Sequence, residues 1–199
     1  MKKLSAAILV IFLSMALTAQ SLNAGELGHK LVDFTQHAID FQEFSYPSDV
    51  DGKPIELRAL AQGKKVLLVS FFAGWCENSR HDAKTIAKLL EKYGSKGLGV
   101  VGVCEYSTAE DIADFLKVRK PAYPIGIETT SEKDRLSTSH YKYRTACNDD
   151  RKWGTPFTVL IDAKNVIAQG PVFATTLYAA NGEMDRKHAE KLLNELLGK

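Results

Sequence analysis

Apolar positions along the chain fall into two kinds of run. Val66–Phe72 and residues 98–103 are nearly unbroken, as expected of strands buried on both faces. After the first of them the pattern changes period, with Ile86, Leu89 and Leu90 at helical spacing, so a buried strand feeds straight into an amphipathic helix. The second run follows after Gly94 and Gly97. A strand, helix and strand joined in this way make a right-handed crossover, with parallel neighbours ending on the same edge of the sheet. Residues 108–111 then cap a helix carried by Ile112, Phe115 and Leu116 and stopped by Pro121. Residues 123–128 predict a short edge strand, where Pro124 is tolerated.

Residues 131–141 predict a short polar helix and residues 142–153 a charged loop. Residues 157–162 and 166–168 predict an antiparallel pair turning at Ala163-Lys164-Asn165. Residues 182–197 close the chain as an amphipathic helix through Ala189, Leu192, Leu193, Leu196 and Leu197. Ahead of the first buried run, residues 41–46 and 54–57 flank Asp51-Gly52, a hairpin signal. Residues 58–62 predict one helical turn, and residues 25–42 an ill-defined lead-in. No repeat, low-complexity segment or second domain is evident.

Composition adds a compartment. Met1-Lys2-Lys3, an uncharged apolar run over residues 4–19 and then small residues have the layout of a secretory signal peptide. Cleavage after Ala19, Ser21 or Ala24 leaves one domain over residues 25–199. The run is marginal for a spanning helix, which needs roughly 17 to 25 residues, so an uncleaved anchor is the alternative. Without a cysteine it does not suggest a lipid anchor. The net charge of +2 owes its excess to Lys2 and Lys3, and the remaining chain is close to neutral. Nucleic acid is thereby disfavoured as a partner, and a membrane enters only through an uncleaved leader. Three cysteines are an odd count for an oxidising compartment, so at least one thiol is free or reacts between molecules.

Cys76 falls at the junction of buried strand and helix, where unpaired N–H groups and the positive end of the helix dipole favour a thiolate. Arg80 and His81 are placed to add to that effect and Glu77 to oppose it. In the run VLLVSFFAGWC the chain resembles the active-site strand and turn of the thioredoxin-like superfamily, in its TlpA-like extracytoplasmic branch. Residues 51–57 resemble the hairpin leading into that strand and residues 98–103 the next strand. Gly154-Thr155-Pro156-Phe157-Thr158, followed by residues 159–162, resembles the cis-proline loop and its strand. The resemblance implies an α/β, thioredoxin-like fold: a central mixed β-sheet flanked by helices, with an added N-terminal β-hairpin. It also implies that Thr155-Pro156 offers backbone groups to an extended substrate.

One departure stands out. Where these proteins carry Cys-x-x-Cys, this chain has Cys76-Glu77-Asn78-Ser79. Ser79 cannot release a mixed disulfide, although its hydroxyl can hydrogen-bond a thiolate. For Asp82 the resemblance implies an acid handling protons near the second cysteine. A solvated carboxylate pairing with Lys84 or Lys88 is the competing reading. Trp75 either shields the thiol or packs in the core.

Cys104 and Cys147 are expected on the same edge as Cys76. Cys104 reads equally as a small apolar residue or a redox partner, and Cys147, in a polar loop, as half of a disulfide. Either Cys104 bonds Cys147 and leaves Cys76 free, the favoured arrangement, or Cys76 exchanges with one of them. The five histidines show no paired ligand spacing, so neither metal nor cofactor is expected. Peroxiredoxins, a related group, place proline and threonine or serine upstream of their cysteine. Here those places hold Val69 and Ala73. The expected function is a periplasmic or secreted thiol–disulfide oxidoreductase working through Cys76 on protein or small-molecule thiols and disulfides. The alternative is a redox-inactive binding or assembly module.

Overall fold

The computed structural model describes residues 30–198, and the leader-like segment with its cleavage positions lies outside the described residues. The elements before the central strand are β1 (Thr35–Gln42), β2 (Ser45–Pro47), β3 (Pro54–Glu56) and α1 (Leu57–Ala61). The central unit follows as β4 (Val66–Phe72), α2 (Glu77–Tyr93), β5 (Leu98–Cys104), α3 (Ala109–Arg119) and β6 (Ile125–Ile127). The chain finishes with α4 (Ser139–Ala146), β7 (Phe157–Asp162), α5 (Ala163–Ala168), β8 (Val172–Ala180) and α6 (Arg186–Leu197).

Six strands form one mixed sheet in the order β1-β8-β7-β4-β5-β6. The crossover argument holds: β4 and β5 are parallel, as are β5 and β6, while β7 runs antiparallel to β4. Side chains alternate across β4. Val66, Leu68 and Phe72 join the core formed with α2, α3 and α6, whereas Leu67, Val69 and Phe71 join the core under α1, α4 and α5. Each such side chain contributes about 1.5–3 kcal/mol on full burial, so the register of β4 is held from both sides. The expected hairpin is present as β2 paired with β3.

Four expectations need correction. The lead-in holds β1, an edge strand paired along its length with β8; only Ile39 and Phe41 of its residues are buried, and the polar residues facing solvent hide the alternation. Residues 166–168 are not a strand. Asp162 Oδ1 accepts the Lys164 N–H at 2.8 Å, capping α5, and the strand next to β7 is β8. The helix expected over residues 131–141 begins only at Ser139, capped by Thr138, whose hydroxyl accepts the Tyr141 N–H at 3.0 Å. In consequence Cys147 terminates α4 and is buried, and does not sit in an exposed loop.

Candidate active site

Ala73 and Gly74 end β4 at the centre of the sheet edge. The turn is pinned from β5: Glu105 N–H donates to the Phe72 carbonyl at 2.8 Å, and Gly74 N–H donates to the Ser107 hydroxyl at 2.8 Å. Gly74 has no room for a side chain, because a Cβ there would lie 2.6 Å from the Asp111 carbonyl oxygen of α3. Cys76 N–H donates to the Ala73 carbonyl at 3.0 Å, and the Cys76 carbonyl accepts the Arg80 N–H at 3.0 Å, making Cys76 the N-cap of α2.

Cys76 is half-buried, and its thiol donates to the Thr155 carbonyl at 3.6 Å. The Thr155–Pro156 peptide bond is cis. These two segments, about 80 residues apart in sequence, therefore meet at the sulfur. Trp75 is 36 % exposed and donates its indole N–H to the Tyr106 carbonyl at 3.0 Å, so it belongs to the rim of the site and not to the core. Its ring meets Trp153 edge-on at 5.6 Å.

The proposed helpers of the thiol are engaged elsewhere. Ser79 is buried and its hydroxyl accepts the Ala73 N–H at 3.4 Å. Arg80 Nε donates to the Gly74 carbonyl at 2.8 Å, bracing the loop. His81 lies between Glu77, at 3.1 Å, and Glu183, at 3.5 Å. Asp82 is not a solvated carboxylate. It is 1 % exposed, and its Oδ1 accepts the Met184 N–H at 2.9 Å. Loss of water pushes its carboxyl up to about 8, Glu183 adding to the rise and the Met184 N–H opposing it.

The remaining cysteines correct the disulfide expectation. All three are free thiols. Cys104 lies in the core under α2 and α3 and Cys147 in the core on the opposite face of the sheet, so the sheet separates them and no bridge forms. Burial pushes both thiols up to about 11.

Sequence reasoning missed the residues that hold the cis-proline loop. Arg151 donates to the Gly154 carbonyl at 2.9 Å, the Pro156 carbonyl at 3.0 Å and the Thr155 carbonyl at 3.5 Å, while Asp149 grips the same guanidinium at 2.6 Å. Arg144, fully buried, donates to the carbonyls of Asp149 and Arg151 at 3.0 and 2.8 Å. His140 Nε2 lies 3.2 Å from the Gly154 carbonyl and Nδ1 lies 2.9 Å from the Tyr106 hydroxyl. A carbonyl can only accept, so Nε2 carries the proton and Nδ1 accepts from Tyr106. Burial, aided by Arg144, holds this ring neutral down to about pH 3. The signal available in the sequence was the Asp149–Arg151 pair just upstream of Gly154-Thr155-Pro156, which reads alone as solvated charge.

Among the described residues no helix is long and apolar enough to cross a membrane. The family model described as AhpC/TSA family matches residues 28–169, well over half of the chain. No curated protein matches it. Among solved structures it is similar to a thioredoxin-family thiol:disulfide interchange protein from Chlorobium tepidum, with 21 % identity and a TM-score of 0.54 over 81 % of this chain and 98 % of that one. A thiol-disulfide oxidoreductase from Bacteroides fragilis gives 18 % identity and a TM-score of 0.56 over 79 % and 99 %. A secreted disulfide oxidoreductase from Mycobacterium tuberculosis gives 13 % and 0.54 over 77 % and 96 %. These likenesses establish a thioredoxin-like fold.

Proposed function

The chain belongs to the AhpC/TSA family, and from that premise we propose that it is an extracytoplasmic thiol–disulfide oxidoreductase working through Cys76 alone. The single observation that carries this reading is the half-buried Cys76 thiol at the N-terminus of α2, with its sulfur against the carbonyl that precedes the cis proline. The leader-like residues 1–24 support the compartment.

The Cys76 thiolate attacks one sulfur of a substrate disulfide. The substrate S–S bond breaks, a Cys76–substrate disulfide forms, and the other substrate sulfur leaves as a thiolate. Pro156 and Thr155 line the face from which the substrate approaches, and Trp75 covers the flank. Asp82, on the buried side of the same helix and protonated up to about pH 8, is the proton reservoir for thiols leaving the site. The second step needs another thiol. Ser79 cannot supply it, and Cys104 and Cys147 are sealed in separate cores. A thiol from outside the protein therefore attacks the mixed disulfide, regenerates the Cys76 thiolate and carries the substrate sulfur away as a new disulfide. The missing internal resolver also suits a second reading, a binding module that has lost turnover.

Reduction of a peptide disulfide in excess external thiol separates the two, with Cys76→Ala as control. The oxidoreductase reading expects activity that disappears in Cys76→Ala, and the binding-module reading expects no difference. In the same assay Ser79→Cys shortens the lifetime of the trapped Cys76 adduct by about tenfold or more, because the attacking thiol becomes intramolecular. Equal lifetimes would show an internal resolving route already at work.

A further inference from the structure

Beyond Trp75 the rim of the site carries an arrangement that thiol chemistry does not use. The Trp153 ring, edge-on to Trp75, is approached by two cations, Lys152 Nζ at 4.9 Å and the Arg135 guanidinium at 5.4 Å from its centroid. Arg135 is fixed there, since its Nη1 donates to the Lys152 carbonyl at 2.7 Å. Among the described residues neither cation has a carboxylate within ion-pair distance. The same two cations line a cavity of about 500 Å³, in which Arg135, Arg144, Arg151 and Lys152 are set against Asp149 and Asp150. Asp149 is buried and occupied by Arg151 and Arg144, leaving exposed Asp150 as the only opposing charge of that lining. Arg151 also joins the cavity to the thiol, because it and Cys76 share the Thr155 carbonyl.

We propose that Arg135 and Lys152, held over Trp153, form a subsite for an acidic side chain near the reactive cysteine of an extended polypeptide substrate. The proposal rests on the oxidoreductase reading and names its substrate class. Unpaired cations over an aromatic face keep their charge available to a carboxylate, and the ring fixes their place. The Trp153 ring centroid lies 5.6 Å from that of Trp75, the residue before Cys76, and 4.9 and 5.4 Å from the two cations. An extended chain advances about 3.3–3.6 Å per residue, so the carboxylate belongs roughly two to four residues from the substrate cysteine.

Two peptides test it, each with one cysteine capped as a mixed disulfide with 2-thiopyridine, and with either aspartate or lysine two to four residues away. Attack by Cys76 breaks the peptide–pyridine disulfide, joins the peptide sulfur to Cys76 and releases 2-thiopyridone, whose absorbance gives the rate. At low salt the aspartate peptide reacts about threefold to tenfold faster than the lysine peptide. Arg135→Gln with Lys152→Gln, or about half-molar salt, closes most of that gap. An unchanged ratio in the double variant overturns the subsite. So does a charge preference shown by a small anionic disulfide, 5,5′-dithiobis(2-nitrobenzoate), and absent from the peptides.

If neither peptide reacts with Cys76, the oxidoreductase reading fails by itself. The subsite is then decided by equilibrium binding of serine-containing versions of both peptides, followed by tryptophan fluorescence. Tighter binding of the aspartate peptide that weakens in the double variant supports it, and equal binding overturns it.

Discussion

Asp82 shows how one side chain ties the site to stability. Ser79, Asp82, Ile86, Leu89 and Tyr93 are all buried, and their spacing of three and four residues makes one continuous stripe along α2. A carboxyl caught in that stripe is held as the neutral acid, up to about 8. The native protein keeps a proton that the unfolded chain, at the ordinary value of 3.8, gives up. Between roughly pH 4 and pH 8 this group therefore costs the native state about 1.4 kcal/mol for each unit of rising pH. Its contribution is fully present below about pH 4 and lost once pH passes about 8. Asp82→Asn retains an oxygen for the Met184 N–H and removes the titration. The variant should gain stability over the wild-type protein progressively from pH 5 to pH 8, as read by urea unfolding. Parallel profiles would mean that Asp82 is ionised in the folded protein.

At the scale of elements, the loop carrying the thiol is set by how closely α3 approaches β4. A Cβ on Gly74 would stand 2.6 Å from the oxygen and 2.9 Å from the carbon of the Asp111 carbonyl, and backbone on both sides has little freedom to yield. Gly74→Ala should cost about 1–3 kcal/mol and disturb the Cys76 turn with it. Gly94→Ala, which meets only the mobile end of Leu90 at 3.2 Å in a helical conformation, should stay within about 0.5 kcal/mol of wild type. Urea midpoints compare them, and equal losses would remove the close-approach explanation. Patterning alone made the elements around this loop legible, because β4 and β5 are apolar on both faces and α2 has a regular period. Legibility failed where that signal is diluted. β1 offers only Ile39 and Phe41 to the core. α5 is a single capped turn and a half whose Val166 and Ile167 imitate a strand. The loop-holding residues Arg144, His140 and Arg151 donate to backbone carbonyls between 3 and 14 residues away, and since every residue carries a carbonyl, no pattern of side chains announces the pairing. Asp82, by contrast, could have been placed by extending the helical stripe backwards from Ile86.

On the scale of the whole molecule, the sheet divides the cysteines into three environments, and this sets the order in which they open. Cys76 is accessible at the edge. Cys147 is buried, but it terminates α4, an eight-residue helix held by Tyr143 stacked on Phe41 at 4.2 Å, by the Gln42 N–H donating to the Tyr143 hydroxyl at 3.0 Å and by the carbonyls that Arg144 collects. Exposing its thiol requires α4 to lift while the sheet remains. Cys104 lies at the end of β5, between Phe72 of β4 and Ile127 of β6, with its side chain in the core beneath α2 and α3. Its thiol is capped by the Gly74 backbone and the Ser107 hydroxyl, and because α3 presses on Gly74 through Asp111, uncovering the sulfur requires that loop and α3 to leave the sheet together. Local openings are cheaper than global ones and expose less surface, so their free energy depends weakly on denaturant. Labelling with a thiol reagent, followed by mass spectrometry of the peptides, should therefore give three steps: Cys76 at once, Cys147 slowly and with weak dependence on urea, and Cys104 last, with the urea dependence of global unfolding. Equal rates and equal urea dependence for Cys104 and Cys147 would mean that α4 does not open ahead of the sheet. Early labelling of Cys104 would mean that the Gly74 loop covering its thiol opens by itself, and would reopen internal resolution of the mixed disulfide.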